Sequence, residues 1–214
     1  MKSVKLYQSK NYLFQFRIDA TDEQIVEYAN QVERRRLDIL KLLGCERDIV
    51  CKKPIYIIEK SENENMQSGK GNAQCIHLFV SELQDLSKNK NLVIHEETHF
   101  LLFNMYPEIS VFLNEGIAEY ICWRYTKNAI PEEFEKSMKY IQEITSDMVL
   151  SNENWLKSYS SQGIWIYGIA YLYMECMLSD RHTVIDMLNE IYVRKQTSII
   201  SKTLQSCQEK YKER

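Results

Sequence analysis

Apolar and polar positions change period several times along the chain, and each change marks an element. Residues 12–18 alternate, with Phe14, Phe16 and Ile18 on one face, as a half-buried strand does. Thr21 and Gln24 follow at the spacing of a capping box. Ile25, Tyr28, Ala29, Val32, Ile39, Leu40 and Leu43 then trace a helical stripe that stops at Gly44. Residues 54–59 and 75–80 are short apolar runs that read as strands. Between them, residues 61–74 are polar, contain Gly69 and Gly71, and read as an exposed loop.

The next segment departs from both periods. Leu92, Val93, Ile94, Phe100, Leu101, Leu102, Phe103 and Met105 put apolar side chains on nearly every side of a helix, the mark of a buried element. Pro107 cannot continue that helix, and it disfavours helical geometry at Tyr106. A turn over 106–110 then leads into a second helix over 111–127. Pro131 can open a further helix at its first position, carrying Phe134, Met138, Ile141, Ile144 and Met148. Helices over 165–178 and 183–194 follow, and a weaker one ends the chain. The pattern predicts an α+β protein. A small N-terminal lobe with an antiparallel or mixed sheet and helices covers residues 1–106, and a helical lobe covers 107–214.

The polar residues of the buried helix carry the chemistry. Residues 95–99 read His-Glu-Glu-Thr-His. Positions i and i+4 share a helix face about 5–6 Å apart, so His95 and His99 can both reach one Zn²⁺ at about 2.0–2.1 Å from each nitrogen. Buried polar groups need partners, and a metal supplies one. Glu96 lies one residue round the helix, where a carboxylate can take a proton from an activated water. The pairing points to zinc-dependent hydrolysis of a peptide bond; the alternative is two unrelated histidines on a solvated face. A catalytic zinc takes a third protein ligand. The helix runs about 10 Å past His99, and the second helix, returning antiparallel, brings Glu115 back to the level of His99. Gly116 costs that helix about 1 kcal/mol, which a close approach between it and the histidine-bearing helix would explain. Glu119, one turn after Glu115, is placed to accept the second ring N–H of His95, as carboxylates beside metal histidines do; otherwise it is a surface charge.

Composition narrows the class. Net charge is −3 and the pI about 5.9, so no basic footprint points to nucleic acid. The first residues have no apolar core of a signal peptide, and no run of about 18 apolar residues exists. The expectation is a cytoplasmic protein without membrane attachment. Cys45, Cys51, Cys75, Cys122, Cys176 and Cys207 are scattered and read as free thiols.

The combination of His95-Glu96-Glu97-Thr98-His99 with Leu113-Asn114-Glu115-Gly116-Ile117-Ala118-Glu119-Tyr120 resembles the gluzincin metallopeptidases. It is most similar to the peptidase-MA-like branch related to aminopeptidase N and thermolysin, over roughly residues 10–180. The resemblance implies Glu115 as third zinc ligand and Glu119 as support of a zinc histidine. Fifteen residues separate His99 from Glu115, a few fewer than in large members. The resemblance also implies that the last strand before the zinc helix is an exposed edge pairing with extended substrate, here residues 71–76 with Gly71, Asn72 and Ala73. The stretch from Tyr167 to Leu172 is similar to the place where the family sets a tyrosine that donates to the oxyanion. Tyr167 is therefore the candidate, with Tyr171, Tyr173 and His182 as fallback donors and a packing role as the alternative. Aminopeptidase relatives hold the substrate N-terminus with a glutamate that residues 71–74 lack, which favours an endo- or oligopeptidase. Two other readings stay open: a regulatory protease for one cytosolic partner, and an inactive gluzincin-like binding module.

Overall fold

The computed structural model describes residues 4–45, 53–61, 67–153, 165–179 and 183–212. The chain is α+β, a five-stranded mixed sheet with helices followed by a mostly helical region. It divides into two compact units, Met1–Lys41 with Cys45–Pro107 and Leu42–Gly44 with Glu108–Arg214. No helix among the described residues is long and apolar enough to cross a membrane.

The first unit is built on strands β1 (Lys5–Gln8), β2 (Leu13–Arg17), β3 (Ile55–Lys60), β4 (Ser68–Gly71) and β5 (Cys75–Val80), in the order β1-β2-β3-β5-β4. β2, β3 and β5 run parallel, and β1 and β4 are antiparallel edges. Helix α1 (Asp22–Leu43) makes the crossover from β2 to β3. Its capping box forms: Gln24 N–H donates to Thr21 Oγ1, and Thr21 N–H donates to Gln24 Oε1. Gly44 ends the helix at φ +87°, a left-handed value that glycine adopts without strain. Alternation decides which face of the sheet is covered. Phe14, Phe16, Tyr56, Ile58, Ile76 and Leu78 are buried together. Tyr28 of α1 meets Phe14 and Phe16 edge-on. Tyr12 lies 6.2 Å from Phe100 of helix α3 (Lys90–Met105), which a short helix α2 (Asp85–Lys88) precedes.

Two expectations are corrected here. Residues 61–74 do not form a plain loop, because Ser68–Gly71 pair with β5 as strand β4. In consequence the last strand before helix α3, β5, is interior, held by β3 on one side and β4 on the other, and the edge is β4. β1 has no counterpart in the sequence reading either; its four residues show too short an alternation to stand out.

The second unit centres on helices α4 (Val111–Thr126) and α7 (Trp165–Leu178). The close approach at Gly116 is to α7 and not to the histidine-bearing helix as expected: a Cβ on Gly116 would lie 2.7 Å from the Ala170 carbonyl oxygen, so only glycine lets these backbones approach this closely. Residues 131–148 do not form one helix. Helix α5 (Glu132–Lys136) passes into a 3₁₀ stretch, Ser137–Glu143, and a separate helix α6 (Ser146–Leu150) starts after Thr145. Met138, Ile141 and Ile144 recur every three residues, which suits three residues per turn. Thr145 then caps α6 by accepting from Met148 N–H. Helix α8 (Val184–Leu188) continues as a π turn, Asn189–Val193, and α9 (Ser198–Lys210) closes the unit.

Candidate metal centre

Helix α3 begins at Asn89, whose side chain accepts from Leu92 N–H, and ends at Tyr106 before Pro107. His95 and His99 lie one turn apart on it, as their spacing requires. Their Nε2 atoms converge to 2.9 Å, with the rings perpendicular. One ligand atom each from His95, His99 and Glu115 all lie within 4.8 Å of one another. These three residues form a candidate metal site. His99 is buried, and His95 and Glu115 are half-buried. Two imidazole nitrogens and a carboxylate oxygen are a donor set that borderline metals such as zinc accept.

The start of α4, which carries Glu115, is tied down by four hydrogen bonds. Leu113 N–H donates to Ser110 Oγ at 3.3 Å, and Ser110 Oγ donates to the Val149 carbonyl at 2.6 Å. Ser110 N–H donates to Tyr192 Oη, and Val111 N–H donates to Asn152 Oδ1. First-turn N–H groups have no partner within their own helix, so these contacts fix where α4 begins. Asn114, beside Glu115, is buried, and its Oδ1 has no hydrogen-bond partner among the described residues. Glu119 Oε2 accepts from Trp123 Nε1 at 2.9 Å, which orients that carboxylate.

Glu96 is also buried. Strand β4 lies against it. A Cβ on Gly69 would come 2.7 Å from Glu96 Cγ, and one on Gly71 would enter the Glu96 carbonyl oxygen and approach His99 Cβ at 3.0 Å. Asn104 Nδ2 donates to the Ala73 carbonyl, tying the end of the β4–β5 turn to the same helix. Within that turn Asn72 N–H donates to Cys75 O, and Asn72 Oδ1 accepts from the N–H groups of Gln74 and Cys75. The backbones of Asn72 and Ala73 are thus already engaged in the turn. Of the segment named for substrate pairing, Gly71 belongs to the edge strand and Cys75 and Ile76 to interior β5.

The back of α3 holds Glu97, a buried polar residue of the His-Glu-Glu-Thr-His run whose partners are protein side chains and not a metal. Glu97 is 1% exposed and paired with Arg35 of α1. Tyr56 of β3 donates to Glu97 Oε1 at 2.9 Å, and the Tyr28 and Tyr56 hydroxyls are hydrogen-bonded to each other. Burial, with the nearby Glu97 carboxylate, pushes the Tyr56 phenol well above its usual range. Burial pushes Tyr28 up to about 12. Both phenols therefore stay neutral donors. The available signal was an acidic residue in the middle of an apolar helix.

Tyr167 lies near the start of α7, half-buried, and three residues before Ala170, the point where Gly116 packs. Two fallback donors are engaged elsewhere. Tyr171 Oη donates to Glu175 at 2.8 Å, and Tyr173 Oη faces the Ile200 carbonyl at 3.5 Å. His182 and Cys51 lie outside the described residues. Cys45, Cys75, Cys122, Cys176 and Cys207 are free thiols. His77 is hydrogen-bonded to Glu59 and stacks near Phe79.

No protein-family model matches the chain, and no curated protein matches it.

Proposed function

We propose that the protein is a zinc-dependent peptidase of the gluzincin kind, cleaving peptide bonds as an endo- or oligopeptidase. The observation that carries this reading is the approach of one ligand atom each from His95, His99 and Glu115 to within 4.8 Å of one another, with Glu96 buried on the same helix as the histidines. His95, His99 and Glu115 would hold the metal. When bound, zinc supplies Lewis-acid polarisation of the scissile carbonyl and makes water acidic enough to lose a proton near pH 7.

The chain's own residues do the rest. Glu96 accepts a proton from the attacking water as its oxygen bonds to the carbonyl carbon. The same carboxyl then delivers that proton to the amine nitrogen as the C–N bond breaks. Tyr167 donates a hydrogen bond to the carbonyl oxygen as charge develops there. Glu119 accepts the distal ring N–H of His95 and holds the ring's orientation. An extended substrate pairs with the open side of β4, so Gly71 lies at the substrate while Asn72 and Ala73 shape the turn beside it. The lack of side chains at Gly69 and Gly71 keeps that strand close to Glu96. The presence of Glu96 favours catalysis over a structural metal site, which needs no general base.

The test pairs metal content with hydrolysis. Glu96→Gln keeps size and polarity but cannot accept a proton. The variant should retain one zinc per chain and lose nearly all cleavage of a peptide library. Wild-type turnover by Glu96→Gln would remove the general base from the mechanism. A wild-type protein that cleaves no peptide while binding zinc would leave the binding-module reading instead.

A further inference from the structure

We infer that Arg35, Glu97 and Tyr56 lock the rotation of helix α3 about its own axis, and so aim His95 and His99 at a common point. The inference rests on the metal reading of that histidine pair. Helix α3 is apolar on nearly all sides: Val93, Ile94, Phe100, Leu101 and Leu102 are buried, and Leu92 and Phe103, on the side that carries the histidines, are half-buried. Burial alone therefore favours no single rotation of the helix, unlike a helix with one apolar stripe. Something directional has to choose.

Glu97 is placed to do so. At about 100° per residue, it sits about 200° round from His95 and about 160° round from His99, opposite both. Its carboxylate is gripped from two other elements. From α1, Arg35 Nη2 donates to Oε1 at 2.8 Å and Arg35 Nε to Oε2 at 3.0 Å, a two-pronged contact. From β3, Tyr56 Oη donates to Oε1 at 2.9 Å. The guanidinium is itself held over the Tyr28 ring at 5.4 Å, and Tyr28 is hydrogen-bonded to Tyr56. A side-chain group lies about 5–6 Å from a helix axis. A rotation of about 20° would carry it by about 2 Å, enough to break bonds of this length. The same rotation would displace both histidine nitrogens, whereas metal bonds tolerate about 0.2 Å. Buried ion pairs add little net stability compared with well-packed apolar side chains, and their best-attested use is to select one arrangement. Arg35, Glu97 and Tyr56 are thus positioning residues.

The experiment separates positioning from folding. The double variant Arg35→Met/Glu97→Leu replaces the pair with apolar groups of similar length. Tyr56→Phe removes one hydroxyl. Each is measured for thermal unfolding without metal, for zinc affinity by chelator competition, and for the visible spectrum with cobalt(II) in place of zinc. The double variant should unfold at or above the wild-type temperature yet bind zinc about 10–100-fold more weakly, with an altered cobalt spectrum. Tyr56→Phe should show a smaller loss in the same direction. Wild-type zinc affinity and cobalt spectrum in both variants overturn the lock. If the double variant does not fold, Tyr56→Phe decides: unchanged affinity overturns the lock, and weakened affinity with unchanged unfolding supports it. A wild-type protein that takes up no zinc overturns the metal reading itself, a different result from wild-type uptake that the variants leave intact.

Discussion

Gly71 lies against Glu96 so closely that a methyl group on its α-carbon would enter the Glu96 backbone carbonyl. The relation binds the edge strand of the sheet to the helix that carries the candidate metal ligands. Gly69 makes the second such contact, but there a methyl group would meet the Glu96 side chain at Cγ and Leu78 at Cδ2.

The two glycines should therefore respond differently to alanine. At Gly71 the obstacle is backbone, which cannot swing away. Overpacking of this kind costs about 1–3 kcal/mol, which lowers the melting temperature of a chain this size by about 2–12 °C. At Gly69 the obstacle includes the flexible Glu96 side chain. Gly69→Ala should unfold closer to the wild-type temperature but lower kcat, because Glu96, the proposed proton acceptor, is displaced. Thermal unfolding and peptide hydrolysis of both variants check this. Equal melting of Gly71→Ala and wild type would mean that β4 does not depend on the close approach.

The parts of this region that were legible in the sequence are those encoded by local spacing. His95, Glu96 and His99 sit four or fewer residues apart, and the capping box at Thr21 and Gln24 spans three. β4 was hidden because Gly69-Lys70-Gly71 has poor strand propensity. Its pairing with β5 and its packing on α3 hold it, and both are tertiary. The Arg35–Glu97 pair spans 62 residues, so no window along the chain contains it. The break after residue 143 had a local sign in the three-residue spacing of Met138, Ile141 and Ile144, which a 3.6-residue reading absorbs into a helix.

Removing either histidine should remove the metal. A nitrogen lost from a three-residue donor set leaves too few bonds for tight binding. His95→Ala and His99→Ala are both expected to emerge from purification with little or no zinc, by elemental analysis. Full occupancy in both would mean that any metal the protein carries sits elsewhere.

Tyr167→Phe keeps the ring and removes the hydroxyl. If that hydroxyl meets charge that develops only in the transition state, kcat should fall by about 100-fold with little change in KM. Steady-state kinetics on one peptide substrate decide it. A rise in KM with kcat unchanged would assign Tyr167 to substrate binding instead.

Glu115 and Glu119 lie one turn apart on α4, and the proposal gives them unequal tasks. Glu115 contributes an atom to the three-residue cluster. Glu119 is oriented by the indole N–H of Trp123 and is proposed to hold His95 through its distal nitrogen. A carboxylate that acts through a ligand changes metal affinity by about 10–100-fold, whereas loss of a direct bond does more. Glu119→Ala should therefore weaken zinc binding measurably without abolishing it, and Glu115→Ala should come close to abolishing it. Trp123→Phe removes the indole N–H and keeps an aromatic ring, so it should reproduce a fraction of the Glu119 effect by removing one contact that orients that carboxylate. Chelator competition on the three variants orders them. Equal losses for Glu115→Ala and Glu119→Ala would put both carboxylates on the metal. Wild-type affinity in Glu119→Ala would show that Glu119 does not support His95, and the ring's orientation would then come from the rotation of α3 and from other contacts.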